Sequence, residues 1–170
     1  KAGLYREFVE DFGKAAVPFL KPEVYGRSIY ENSSFIASSK NPDESIHGKG
    51  FVARLSGSTV EFINIWQIML FGLKPFSLKD EKTLLTFAPT IPDYLIDENK
   101  RIEAMFLGSV KVTYILSEKK SYIPGEYRIE DIVLYYTNGE VFKSKYGIIM
   151  EKEALDVRNG LIDGIIIKLT

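Results

Sequence analysis

Apolar residues recur at helical spacing in the first half of the chain and at strand spacing in the second, and the change falls near Pro75. Leu4, Phe8, Phe12, Ala15, Ala16 and Phe19 follow one another at intervals of three and four, so they predict one helix face, closed by Pro18 and Pro22. Residues 25–50 are too rich in serine, asparagine and glycine for a regular element and predict extended chain or a long loop. Long loops inside compact domains are uncommon unless they carry function. From 59 to 71 the chain is apolar almost all the way round: Val60, Phe62, Ile63, Ile65, Trp66, Ile68, Met69, Leu70 and Phe71. This predicts a helix buried on most sides, with Ser56, Ser58 or Thr59 as N-cap, Glu61 just inside, and Gly72 and Pro75 at its end.

Beyond Ser77 come short runs of β-branched and aromatic residues, which predict strands at 83–87, 104–107, 110–116, 128–136, 140–142 and 165–169. Two Asn-Gly pairs, Asn138-Gly139 and Asn159-Gly160, stand where tight hairpin turns are expected, and Pro89 and Pro92 set an extended or turning link. The expected fold is therefore mixed α and β: an antiparallel β-sandwich or meander packed on helices from the first half. There is no internal repeat and no low-complexity tract.

Composition narrows the function classes. With 170 residues and 45% apolar side chains the chain can build a proper core, which excludes a disordered tail or a disulfide-stapled mini-protein. Twenty-two basic against 23 acidic residues argue against a nucleic-acid binder held by bulk charge. The absence of cysteine excludes thiolate chemistry and cysteine-type zinc sites, and a lone His47 leaves few routes to a histidine metal site or triad. No apolar run approaches the roughly 18–20 residues needed to span a bilayer, and no secretory signal pattern opens the chain, so the expectation is a soluble, intracellular protein. The chain begins at Lys1 directly in a helical pattern, which reads as a piece of something larger.

Candidate chemistry concentrates at Gly50-Phe-Val-Ala-Arg-Leu-Ser-Gly-Ser-Thr59. Small residues at a helix start leave backbone N–H groups open beside the positive end of the helix dipole, a setting that suits phosphate, and Arg54 could add charge-assisted hydrogen bonds. An ordinary Ser/Thr cap accounts for the same residues. His47 suits a phosphate ligand or an acid–base group, or else a structural place in its glycine-rich loop. Arg27, Glu31 and Asn32 are explained equally well by a salt bridge and a turn. The acidic pairs Asp43/Glu44, Asp80/Glu81, Asp97/Glu98 and Glu130/Asp131 lie in polar surroundings and read as solvated rather than catalytic. Neither a dinucleotide fingerprint, a phosphate-binding loop with Gly-Lys-Ser/Thr nor a nucleophile elbow is present. Tyr114, Tyr135 and Tyr136 could form a sugar-stacking platform or simply pack.

The run Gly50-Phe-Val-Ala-Arg-Leu-Ser-Gly-Ser-Thr-Val-Glu-Phe62, followed by Trp66, Met69, Gly72 and Pro75-Phe76, resembles the carboxyl-terminal part of the inverting glycoside phosphorylases of glycoside hydrolase family 94. With Tyr25-Gly-Arg-Ser-Ile-Tyr-Glu-Asn-Ser-Ser-Phe-Ile36 it looks closest to the branch acting on β-1,2-linked glucans and to the related domain of cyclic β-1,2-glucan synthases. The resemblance implies that residues 1–74 are the terminal helices and loops of an (α/α)6 catalytic barrel and that 75–170 form a jelly-roll-like β-sandwich domain. In that family phosphate attacks the anomeric carbon while an aspartic acid protonates the departing oxygen, giving a sugar 1-phosphate.

Carried over by resemblance, the phosphate-binding Ser/Thr-Gly pair falls on Ser56 and Gly57. Asn32 substitutes for a family glutamine, His47 looks like the histidine of the preceding loop, and Arg54 stands where the family has tryptophan. No catalytic residue lies in this segment, because the general acid is upstream in the family, so the isolated chain should be inactive. The resemblance implies no metal and no cofactor, with inorganic phosphate as substrate. Implied partners are an oligosaccharide, the remainder of a parent enzyme and a second copy in a homodimer, in the cytoplasm, without nucleic acid or membrane. The rival readings are a transglycosylating domain of a cyclic β-1,2-glucan synthase and a non-catalytic carbohydrate-binding or structural β-sandwich.

Overall fold

The computed structural model of the chain describes residues 2–16, 21–25, 33–53, 57–144 and 147–170. They form two compact units: Arg6–Ile65, and Lys1–Tyr5 with Trp66–Thr170. The first unit holds most of helix α1 (Tyr5–Ala15), the short helix α2 (Pro22–Tyr25), strands β1 (Ser33–Ile36) and β2 (Gly50–Ala53), and the first turns of helix α3 (Gly57–Phe71). In α1 the predicted spacing brings Phe8 and Phe12 one turn apart, their rings stacked at 5.4 Å, and Val9 and Phe12 are buried. Lys14 and Asp11 approach to 3.9 Å on its exposed side, a pair worth little.

The stretch expected to be extended chain or a long loop contains an antiparallel hairpin. Ser33 pairs with Ala53, Phe35 with Phe51 and Ile36 with Gly50. Its signal was hidden because serine and glycine surround the few strand-forming residues, and because the two strands meet only across a 13-residue connection, 37–49.

The helix predicted at 59–71 is α3, and its end is built from glycine chemistry. Gly72 follows the last helical residue at φ +94° and donates its N–H to the Ile68 carbonyl at 2.9 Å. The carbonyls of the last turn are all satisfied by the chain that follows. Thr90 N–H donates to Met69 at 2.7 Å, Ala88 N–H donates to Phe71 at 3.3 Å, and the buried Tyr114 hydroxyl donates to Leu70. Met69, Leu70 and Phe71 are buried accordingly. Burial on most sides does not hold for the earlier turns, where Val60 is 66% and Ile63 54% exposed. An all-round apolar pattern states how much surface wants cover; it does not say which segment of chain supplies it.

The second unit is β-rich. A three-stranded sheet runs in the order β3 (Phe76–Lys79), β4 (Lys82–Thr86), β9 (Ile148–Met150). A five-stranded sheet contains β5 (Arg101–Phe106), β6 (Val110–Leu116), β7 (Ile129–Tyr136), β8 (Val141–Ser144) and β10 (Ile162–Leu169), in the order β5-β6-β10-β7-β8. The final strand thus sits in the centre, antiparallel to β7 but parallel to β6. The expectation of a wholly antiparallel domain is corrected here. Local alternation marks a strand without naming its partner, and β10 enters between β6 and β7 only after the chain has passed through α4 (Glu151–Arg158).

Register places the core. Ala104, Val112, Ile165, Leu134 and Phe142 form one row across the sheet, and Ile102, Tyr114, Ile167, Ile132 and Ser144 the next. The middle three of each row are fully buried. Phe76 of the smaller sheet stacks on Phe106 of the larger at 5.9 Å, with Phe71 and Phe87 against the same ring, so the two sheets share this core. The opposite face of the five-stranded sheet is polar at its ends, with Lys111 on Glu103 at 2.7 Å and Lys168 near Asp131 at 4.0 Å.

The two Asn-Gly pairs do different jobs. Asn138-Gly139 joins β7 to β8 as expected, with Gly139 at φ +90° and its N–H donating to Tyr136 O at 2.9 Å. Asn159-Gly160 does not make a hairpin. It ends α4: Gly160 N–H donates to Val157 O and Leu161 N–H to Asp156 O, the double closure of a helix C-terminus. A residue ready to adopt positive φ serves either purpose. Helix α4 itself, with only Ala154 and Val157 buried, was too short and polar to predict. Tyr136 anchors it by donating to the Asp156 carboxylate at 2.9 Å, and burial, then that carboxylate, pushes the phenol up to about 12.

One turn carries avoidable strain. Between β5 and β6, Leu107 stands at φ +53° before Gly108 at φ +77°, with Leu107 53% exposed. Leu107→Asn should stabilise the chain by about 1 kcal/mol, because asparagine tolerates this conformation and little apolar burial is lost. A urea midpoint that rises at unchanged slope is the expected result, and a lowered midpoint would refute it.

Candidate functional site

Of the phosphate-site candidates, His47 lies in the connection between β1 and β2 and Gly57 at the start of α3. At the turn end, the connection 37–49 is knotted by its own polar groups. Asp43 N–H donates to Asn41 Oδ1 at 2.9 Å, and Ser45 donates both its N–H, at 3.0 Å, and its hydroxyl, at 2.6 Å, to Asp43 Oδ1. Those two bonds, the hydroxyl's first, hold the Asp43 carboxyl below its ordinary range. Gly48, at φ +74°, donates to Ala37 O at 2.8 Å and closes the turn onto β1.

His47 belongs to this turn. Its half-buried ring places Nε2 2.7 Å from the Asn41 carbonyl, which requires the proton on Nε2. The imidazole is thereby oriented by the loop itself, and Nδ1 is the nitrogen left for any acceptor role.

At the open end of the hairpin, Ser33 and Ala53 are cross-strand partners. They are the chain neighbours of Asn32 and Arg54, which with Ser56 lie outside the described residues. Gly57 is described, and it is the first residue of α3. A 15-residue helix beginning there leaves the N–H groups of its first turn without acceptors inside the helix, at the end where its dipole is positive. The only acidic residue in its sequence is Glu61, so an anion at the first turn would meet little competing charge.

The chain matches no protein-family model and no curated protein.

The other candidates are dispersed by the fold. Tyr114 is fully buried and spends its hydroxyl on the end of α3. Tyr135 is 39% exposed on the opposite sheet face from Tyr136, which is committed to Asp156. The three tyrosines therefore form no common platform. The acidic pairs take structural tasks: Asp43 caps a turn, Asp80 and Glu81 at φ +50° and +63° make the β3–β4 turn, Asp97 accepts from Arg101 N–H at 2.7 Å, and Asp131 faces Lys168. Among the described residues no group of three or more His, Asp or Glu is placed to hold a metal ion, and no helix is long and apolar enough to cross a membrane. The bond from His47 to Asn41 was not legible in the sequence, since it depends on the turn that brings residues six apart together.

Proposed function

We propose that this chain is the carboxyl-terminal part of an inverting glycoside phosphorylase of the glycoside hydrolase family 94 type, acting on β-linked gluco-oligosaccharides, with inorganic phosphate held at the start of α3. The observation that carries this reading is the position of Gly57. The Ser-Gly pair that resembles the family's phosphate-binding pair leads directly into an α-helix of 15 residues, where backbone N–H groups and the helix dipole favour an anion. Two further features support it. The exposed Val60 and Ile63 of α3 are the apolar surface that neighbouring helices of an (α/α)6 barrel would cover. The two sheets that begin at Phe76 are compatible with a β-rich domain following the barrel, although the parallel pairing of β6 with β10 departs from an antiparallel jelly roll. Residues 1–74 are then the last part of the barrel and 75–170 the sheet domain.

On this reading Ser56, Gly57, Arg54, Asn32 and His47 bind phosphate, and the His47 ring is oriented by its own turn. The general acid comes from sequence upstream of this segment. The enzyme is cytoplasmic and homodimeric and needs neither metal nor cofactor.

The test is chemical. The protein carrying this chain together with its upstream catalytic sequence should release glucose 1-phosphate from β-1,2-gluco-oligosaccharides only when phosphate is supplied, while residues 1–170 alone should release none. Phosphate-independent transfer between glucans, without sugar 1-phosphate, would favour the cyclic glucan synthase reading instead. Direct oligosaccharide binding by residues 1–170 without any turnover in the larger protein would favour the binding-module reading.

A further inference from the structure

Of the two Asn-Gly pairs, only one joins two strands at an exposed hairpin tip, and the structure distinguishes their chemistry. We infer that Asn138-Gly139 is a site of spontaneous deamidation and backbone isomerisation in the folded protein, whereas Asn159-Gly160 is protected. Asn138 and Gly139 are exposed, as are Asn159 and Gly160, and the space beside the Cα is open at both glycines, so the two pairs differ in the structure that holds the glycine nitrogen. Glu140 N–H donates to Asn138 Oδ1 at 3.0 Å. That bond polarises the side-chain carbonyl and stabilises the negative charge that develops on Oδ1 during attack at Cγ.

The step balances without any partner but water. The Gly139 amide nitrogen, after losing its proton, bonds to Asn138 Cγ; the Cγ–Nδ2 bond breaks and ammonia leaves, forming a cyclic imide. Water then opens the ring at either carbonyl, giving aspartate or the isomer whose backbone runs through the side chain. Before attack, the bond from Gly139 N–H to Tyr136 O must open. That opening is local, because the Thr137 N–H stays bonded to Leu161 O and the freed turn leads only into β8, a four-residue edge strand.

At Asn159 the same chemistry faces a different obstacle. The Gly160 N–H bond to Val157 O, at 3.3 Å, is longer than that of Gly139, but it is flanked by Asn159 N–H to Leu155 O at 2.8 Å and Leu161 N–H to Asp156 O at 3.0 Å, and the residue after Leu161 begins β10, the central strand of the sheet. Freeing Gly160 therefore disturbs both the end of α4 and the start of β10. The isomerised backbone at 138 lengthens the turn by one atom and places a new carboxylate beside Glu140, so the product loosens β8.

The test uses the intact chain, folded at pH 8 and 37 °C, followed by peptide mapping and isoaspartyl methyltransferase labelling. The peptide containing Asn138 should gain 1 Da and accept label about tenfold faster than that containing Asn159, the ratio given by a difference of about 1.4 kcal/mol in opening free energy. In urea both pairs should react at similar rates. Asn138→Asp should remove the early mass gain and Asn159→Asp should leave it. Equal native rates at the two sites, or an unmodified Asn138 after the unfolded chain has reacted, would overturn the inference.

Discussion

Gly72→Val should lower the thermal midpoint of the β-rich unit by roughly 10 °C, the shift expected for a loss of about 3 kcal/mol in a domain of this size. Two costs add. A residue with a Cβ at φ +94° leaves the region that L side chains occupy, and a β-branched one is worse placed than most. The added Cβ would also meet Ala88 at 3.2 Å from both its Cβ and its backbone nitrogen, so Ala88 would have to give way by a few tenths of an ångström. Relief by moving Ala88 is costly in turn, because the Ala88 N–H caps the Phe71 carbonyl and Phe71 packs into the aromatic cluster with Phe87 and Phe106. Gly72→Ala should fall part of the way. Adding Ala88→Gly to it should return the share due to the Cβ–Cβ contact and leave the share due to φ. A midpoint within 2 °C of the parent protein for Gly72→Val, an allowance of about 1 kcal/mol or less, would show that this junction tolerates displacement.

The same junction shows what local pattern can and cannot convey. Gly72 and Pro75 were readable as the end of a helix because glycine and proline act through their own backbone. Strand β6 was readable because Val110 to Leu116 is almost wholly β-branched, aromatic and aliphatic. By contrast, the Tyr114 hydroxyl that caps Leu70 comes from 44 residues away, and the parallel seam between β6 and β10 joins segments some fifty residues apart in the chain. Such partners are chosen by the assembled core, and no window of sequence contains them. Asn159-Gly160 failed for a subtler reason: the dipeptide announces a positive-φ residue, which helix ends and hairpins both use. The short hairpin of Phe35 and Phe51 was obscured by the polar residues around it.

The candidate site divides along the same line. That an α-helix begins among the small residues near Gly57 was legible, since small residues and a following apolar run mark a helix start locally. The orientation of His47 was not, because the Asn41 carbonyl that fixes it is presented by a turn whose own hydrogen bonds run through Asp43 and Ser45. Nor did the sequence separate Tyr135 from Tyr136: alternation predicts opposite faces, but only once the strand is known to continue through both.

The largest effect on activity is expected at the helix start. On the phosphorylase reading proposed above, in the larger protein with the upstream catalytic sequence that this reading requires, Gly57→Val should reduce kcat/KM for phosphate by on the order of 10²–10³-fold, the size of effect that removing one donor to developing charge produces. The reasoning is steric and electrostatic. An anion bound to the first-turn N–H groups must approach the backbone closely, and two methyl groups on residue 57 would occupy that approach while leaving the helix dipole in place. The fold should not suffer, since residue 57 is helical and valine has the higher helix propensity of the two. Loss of activity without loss of stability is therefore the expected pairing. A second readout separates binding from chemistry. Phosphate at a hundred times its dissociation constant should stabilise the parent protein by about 2.7 kcal/mol, and Gly57→Val should abolish that increment. Phosphorolysis at the parent rate in Gly57→Val would remove the start of α3 from the phosphate site, whereas lost activity with phosphate protection retained would place Gly57 in glycan positioning instead.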